Sequence, residues 1–197
     1  MIPKIAYVIS FVFHPIFLFF HTFIFLLFYS DFFINSSAFI SWFIISYIAI
    51  TTILLPLLLI YIFTKDFALA EKEQRTTPYL IIIFVYLLML IFFNKFSLPS
   101  LIKNFISGII ISLIIVLIIN RYIKISIHSF AIAGILALFL KLFLFSPIDF
   151  YIPLMITALL AGIIGTSRLI LETHSEKELY LGYLVGFPLT FILLTIL

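Results

Sequence analysis

The chain has 197 residues, of which 65% are hydrophobic and 10% are charged, and its mean hydropathy is +1.40. A soluble domain needs more polar surface than this composition provides, so that class of protein is excluded. The net charge of +3 comes without a dense run of Lys and Arg, which argues against a nucleic-acid partner, and the absence of cysteine excludes disulfides and thiol chemistry.

Apolar runs of roughly 18–25 residues recur along the chain, the length of a helix that crosses a hydrocarbon core about 30 Å thick. The runs lack the alternation of barrel strands, so we predict an all-α, polytopic bundle of six to seven spanning helices. We treat residues 1–197 as a single transmembrane domain. In chain order the predicted helices are Ile5–Tyr29, Ala38–Phe63, Pro78–Phe93, Leu101–Ile119, Ser126–Phe145, Tyr151–Leu171 and Leu179–Ile196.

Turn residues separate these helices, and the alternate loops differ strongly in charge. The positive-inside rule places the cation-rich loops in the cytoplasm, together with the N-terminus. We expect an integral protein of the bacterial cytoplasmic (inner) membrane, with membrane lipids around it and either a membrane-protein partner or a second copy of the chain as a possible associate. The cations on the charged face are Lys4, Lys65, Lys72, Arg75, Arg121, Lys124, Arg168 and Lys177.

Three segments on this charged face combine histidines, serines and cations, and they span residues 65–78, 124–128 and 167–178. Arg offers paired hydrogen bonds to phosphate oxygens. Histidine acts as a nucleophile or a proton donor near neutral pH. The combination predicts a phosphate site beside the membrane.

The third segment resembles the signature of the type 2 phosphatidic acid phosphatase superfamily, which reads Ser-Arg, five residues, His, three residues, Asp. Here Ser167 and Arg168 precede His174 by that spacing, and Glu178 stands in place of Asp. Since Arg168 and His174 lie six residues apart, a continuous helix would point them in different directions. We therefore expect a break near residues 172–173 that lets both face one pocket.

The other two segments resemble the family's remaining motifs less closely. Ile125-Ser126-Ile127-His128 is similar to Pro-Ser-Gly-His, whereas Lys72 and Arg75 fit the motif Lys, six residues, Arg-Pro only in part. The resemblance covers about residues 64–182.

This resemblance implies metal-independent hydrolysis of a lipid phosphate or pyrophosphate without a cofactor. By analogy, His174 attacks phosphorus and forms a phosphohistidine, Glu178 orients the His174 ring, and His128 protonates the leaving group. A partly dehydrated, cationic site is suited to a phosphoryl transition state. The residues expected to bind the phosphoryl oxygens are Arg168, Ser126, Arg75 and Lys72.

Several of these residues also have structural interpretations. Ser175 and Glu178 have the spacing of a capping box at the start of a helix. His14 and His21 lie within the first predicted helix, where no carboxylate supports a metal site, so we favour polar packing between helices. Close helix contacts are expected at the glycines of the last two helices, which are Gly162, Gly165, Gly182 and Gly186.

Two other functions are consistent with the sequence. Ile127 puts a branched side chain where the family has Gly, and the first motif is loose, which favours a catalytically degenerate lipid-binding or scaffold subunit of a membrane complex. The intramembrane residues His14, His21 and Lys141 raise the hypothesis of a small transporter. We rank the transporter last because the predicted spans lack paired acidic residues.

Overall fold

The computed structural model describes residues 2–30, 36–65, 73–96 and 98–197, and the described chain contains helices and no strands. Six helical stretches are long and apolar enough to cross a membrane, and α1 with α2 forms a seventh if that bent pair counts as one span. The predicted all-α transmembrane architecture is confirmed. The helices are α1 (Ile2–Val12), α2 (Pro15–Tyr29), α3 (Ala38–Ala49), α4 (Leu55–Thr64), α5 (Thr76–Phe93), α6 (Ser100–Asn120), α7 (Ile127–Phe145), α8 (Tyr151–Ile170) and α9 (Glu176–Ile196).

The first predicted helix is broken, and the prediction of one continuous helix there is wrong. Helices α1 and α2 meet at an angle of 52° around Phe13 and His14. Pro15 causes the break because it lacks an N–H and its ring disfavours a helical conformation at the preceding residue. Proline is well suited to the first position of a helix, and α2 begins there.

The second predicted helix continues from α3 into α4 through a π-helical turn at Ile50–Leu54. Pro56, near the start of α4, cannot donate to a carbonyl in the preceding turn. The hydroxyls of Thr51 and Thr52 donate to the carbonyls of Tyr47 and Ile48, at 2.8 and 2.7 Å. A single widened turn therefore interrupts the regular hydrogen bonding without ending the span.

The chain divides into two compact units. One consists of Met1–Leu18 with Tyr122–Leu197, and the other is Phe19–Arg121. The first unit contains α1, the beginning of α2, and α7 to α9. The second contains the remainder of α2 and the helices α3 to α6.

Within the first unit, α7 and α9 pack closely through two glycines of α9. A Cβ added at Gly186 would meet the backbone of Phe130, including its carbonyl oxygen. One added at Gly182 would lie 2.7 Å from the carbonyl oxygen of Ser126. The predicted close contacts at this small-xxx-small pair are confirmed.

The two glycines of α8 differ from each other. A Cβ added at Gly165 would meet the hydroxyl of Tyr183, whereas one added at Gly162 would meet nothing within 4 Å. The predicted close contact at Gly162 is therefore wrong, since this face of α8 is exposed.

Gly186→Ala should lower the free energy of unfolding by about 1–3 kcal/mol, because the new methyl group meets backbone atoms of α7 that cannot rotate away. Gly162→Ala is the matched control, and it should be neutral or slightly stabilising because alanine favours a helix over glycine. Thermal unfolding of the two purified variants in detergent measures the difference. Equal unfolding temperatures would mean that α7 and α9 do not approach as closely as described.

Candidate active site

The end of α8 and the start of α9 are joined by a tight turn that separates Arg168 from His174. The chain leaves the helix after Ile170, and Glu172 adopts a left-handed conformation with φ of 53°. The Thr173 hydroxyl donates to the carbonyl of Arg168 at 3.2 Å and closes the turn. The break expected near residues 172–173 is therefore present. Arg168 and His174 do not share one continuous helix, so helical geometry does not force their side chains in different directions.

His174, which is buried, and Glu178, which is half-buried, form a pair at the start of α9. Nδ1 of His174 lies 2.7 Å from Oε2 of Glu178, and the imidazole side chain is only 2% exposed. Since an ionised carboxylate only accepts hydrogen bonds, Nδ1 carries the hydrogen. The lone pair of the neutral ring is then on Nε2, the nitrogen that points away from Glu178.

The capping box expected at the same position is half formed. Ser175 is the N-cap of α9, and its hydroxyl oxygen accepts from the N–H of Glu178 at 3.4 Å. The carboxylate of Glu178 contacts His174. Glu178 thus contributes its backbone to the helix start and its side chain to the histidine.

The first turn of α7 is tied to the first turn of α9. Ser126 is the N-cap of α7, it is fully buried, and its hydroxyl oxygen accepts from the N–H of Ser129. The N–H of Ser126 donates to the carbonyl of Glu178 at 3.1 Å. Together with the close approach at Gly182, this bond holds His128 near the His174–Glu178 pair. The predicted contact of Ser126 with phosphate stays a prediction.

His128 is buried in this first turn of α7, and its ring nitrogens have different surroundings. Nε2 lies 3.2 Å from the carbonyl oxygen of Ser10. A carbonyl only accepts, so Nε2 carries the hydrogen. Nδ1 is buried and has no hydrogen-bond partner among the residues that the structure describes. The ring of His14 packs edge-on against the His128 ring, with centroids 5.1 Å apart.

Arg168 completes the group from the last turn of α8. Its Nη1 donates to the hydroxyl of Ser10 at 2.6 Å. Arg168, His14 and His174 all lie close enough to His128 to interact with it electrostatically. We refer to His128, Arg168, His174 and Glu178 as the histidine–arginine cluster.

The remaining residues of the predicted site are placed elsewhere or are not described. Lys72 lies outside the described residues. Arg75 precedes α5 in the second unit, where it is buried and interacts with Tyr79. Their predicted contacts with phosphate stay predictions.

Sequence reasoning missed Ser10, and for His14 it favoured polar packing between helices over a functional role. Both are polar residues in an otherwise apolar run, four positions apart, and polar groups in such runs often face functional interiors. The four-residue spacing of Ser10 and His14 was the signal in the sequence that could have identified them. His21, the other histidine of this region, is exposed.

The cluster combines two imidazoles, a guanidinium and a carboxylate. Within the described ranges, no group of three or more His, Asp or Glu side chains is arranged to hold a metal ion. The side chains present can supply a nucleophile, a proton donor and a fixed positive charge.

Comparison of the chain with protein-family models, with curated proteins and with solved structures found no match. What the cluster does must therefore be inferred from its own geometry and chemistry.

Proposed function

We propose that the protein is a membrane phosphatase of the type 2 phosphatidic acid phosphatase superfamily, which hydrolyses a lipid phosphate or pyrophosphate through a phosphohistidine. The observation that carries the proposal is the 2.7 Å contact between Nδ1 of His174 and Glu178, with His128 and Arg168 beside it. A histidine oriented by a carboxylate is the arrangement that an imidazole nucleophile requires.

In the first step, the lone pair on Nε2 of His174 attacks phosphorus, and the bond from phosphorus to the lipid oxygen breaks. The leaving oxygen takes a proton from Nδ1 of His128, whose protonated form is stabilised by the negative charge of the bound phosphate. The positive charge that develops on the His174 ring is stabilised by Glu178, its hydrogen-bond partner. The products of this step are the dephosphorylated lipid, or its monophosphate, and phosphohistidine.

In the second step, water attacks the phosphohistidine and the nitrogen–phosphorus bond breaks. His128, now neutral, accepts a proton from the water at Nδ1 and regains its starting form. Inorganic phosphate leaves and the lone pair returns to Nε2 of His174. The cycle consumes one water and no cofactor.

Arg168 supplies the fixed positive charge for both steps. The guanidinium is planar, always protonated and able to bind two oxygens at once. Its hydrogen bond to Ser10 fixes one end of the guanidinium. A preorganised cation in a water-poor site stabilises the charge on the transferring phosphoryl group more strongly than the same cation would in water.

The position of the cluster along the helices supports a lipid substrate. Its residues come from the start of α7, the end of α8 and the start of α9, which are the ends of three candidate spans. The phosphate of a membrane lipid lies at the surface of the bilayer, where spanning helices end. Residence in a bacterial cytoplasmic membrane, with membrane lipids as partners, belongs to this proposal.

The proposal is tested by inorganic phosphate release from detergent-solubilised wild-type protein. The panel should contain phosphatidate-like monophosphates and isoprenoid pyrophosphates, because nothing in the cluster selects a lipid tail. Turnover should persist in excess EDTA, since the chemistry uses side chains alone. No release on any member of the panel, with a stoichiometric membrane partner in pull-downs, would favour the degenerate scaffold subunit instead.

A further inference from the structure

We infer that Ser10 of α1 is a positioning residue, which aligns His128 with its backbone carbonyl and Arg168 with its hydroxyl. The inference rests on the proposed function, because it assigns those two residues their orientation for proton transfer and phosphoryl binding. Ser10 is far from both in sequence, by 118 and 158 positions.

The carbonyl of Ser10 is available because of Pro15. In a continuous helix it would accept from the N–H of His14, four residues on. Helix α1 ends before Pro15, and the N–H of His14 bonds to the carbonyl of Phe11 at 3.1 Å instead. The carbonyls in the last turn of a helix need outside partners, and His128 is the partner here.

This bond selects the tautomer of His128. With the hydrogen held on Nε2, the nitrogen that exchanges a proton with the leaving group must be Nδ1. The bond also fixes the plane of the ring, and the edge of the His14 ring packs against it. The break in the first helix thus determines which nitrogen of His128 can act.

The hydroxyl of Ser10 reaches Arg168 because α1 packs through a face of small residues. Ala6 and Ser10 are the buried residues of α1, and the helix packs against α8, which carries Arg168. The large residues of α1, such as Tyr7 and Phe11, are exposed. Small side chains let two helices approach closely, so a short serine side chain spans the gap to the guanidinium.

Ser10→Ala isolates one of the two contacts, because it removes the hydroxyl and leaves the carbonyl. We expect kcat/KM to fall by about tenfold or more, since a charged hydrogen bond that orients a phosphate ligand is lost. Ser10→Thr retains a hydroxyl and should retain most of the activity. Ser112→Ala is the matched control, because it removes a buried hydroxyl from α6 in the second unit and should leave turnover unchanged.

A double-mutant cycle separates positioning from folding. In the Arg168→Lys background the guanidinium is absent, so Ser10→Ala should cause little further loss of kcat/KM. An equal loss in both backgrounds, or no loss in either, would overturn the inference while the phosphatase proposal stands.

Binding of orthovanadate, a phosphate-shaped anion, provides a readout without turnover. Vanadate should raise the unfolding temperature of wild-type protein and of Ser10→Thr, and it should do so less for Ser10→Ala. If the wild type hydrolyses nothing but shows this pattern, the proposed reaction fails and the positioning role of Ser10 stands. If it neither hydrolyses nor binds vanadate, both fail.

Discussion

His174→Ala should lower the rate of phosphate release at saturating substrate by about 10⁴-fold or more, because the variant has no atom that can attack phosphorus. The contact with Glu178 that orients the nucleophile is lost at the same time. The measurement is inorganic phosphate release by the purified variant beside the wild type. His174 precedes α9 and its N-cap, so the substitution leaves the helix intact.

His21→Ala is the matched control for this experiment. It replaces a histidine by alanine as well, but at an exposed position of α2, so turnover should be unchanged. A His174→Ala protein that folds like the wild type and keeps its turnover would remove His174 from the reaction.

His128→Gln should have the second largest effect, and the effect should depend on the leaving group. A glutamine amide can still donate to the carbonyl of Ser10, but it cannot transfer a proton. For an alkyl phosphate, whose leaving oxygen must be protonated, we expect a loss of about 10²–10⁴-fold in kcat/KM, which reports the first step and not the hydrolysis of the phosphohistidine. The nitrophenolate of a nitrophenyl phosphate leaves without a proton, so the loss of kcat/KM on that substrate should be much smaller.

The comparison of the two substrates distinguishes proton transfer from a packing role. His128 is buried against His14, so a poorly tolerated substitution would slow both substrates alike. Equal losses of kcat/KM on the alkyl and nitrophenyl esters would therefore contradict the assignment of His128 as the proton donor. The same two substrates measured with Ser112→Ala give the baseline for a neutral change.

Much of the fold follows from the length of the apolar runs and the turn residues between them. The predicted helix Tyr151–Leu171 differs by one residue from α8, because turn-forming residues at 146–149 precede it and Arg168 lies near its end. The break before Pro15 was missed, although proline chemistry is readable from sequence, because the apolar run continues on both sides. Gly162 was misjudged because spacing alone does not reveal which face of a helix is packed.

The site divides in the same way between local and distant contacts. The His174–Glu178 contact follows from a four-residue spacing, and the separation of Arg168 from His174 follows from the turn after α8. The contacts of Ser10 with His128 and Arg168 could not be predicted, because they join α1 to helices more than a hundred residues away. The packing of α1 against α8 brings Ser10 to these helices.

Capture of the covalent intermediate tests the role of His174 most directly. Wild-type protein quenched during turnover of a lipid labelled with ³²P should carry label that is stable in alkali and lost in acid, as expected for phosphohistidine, and mapped to the peptide containing His174. His21→Ala should carry the same label and His174→Ala none. Active wild-type protein that carries no label during turnover, or label on any other residue, would contradict the account.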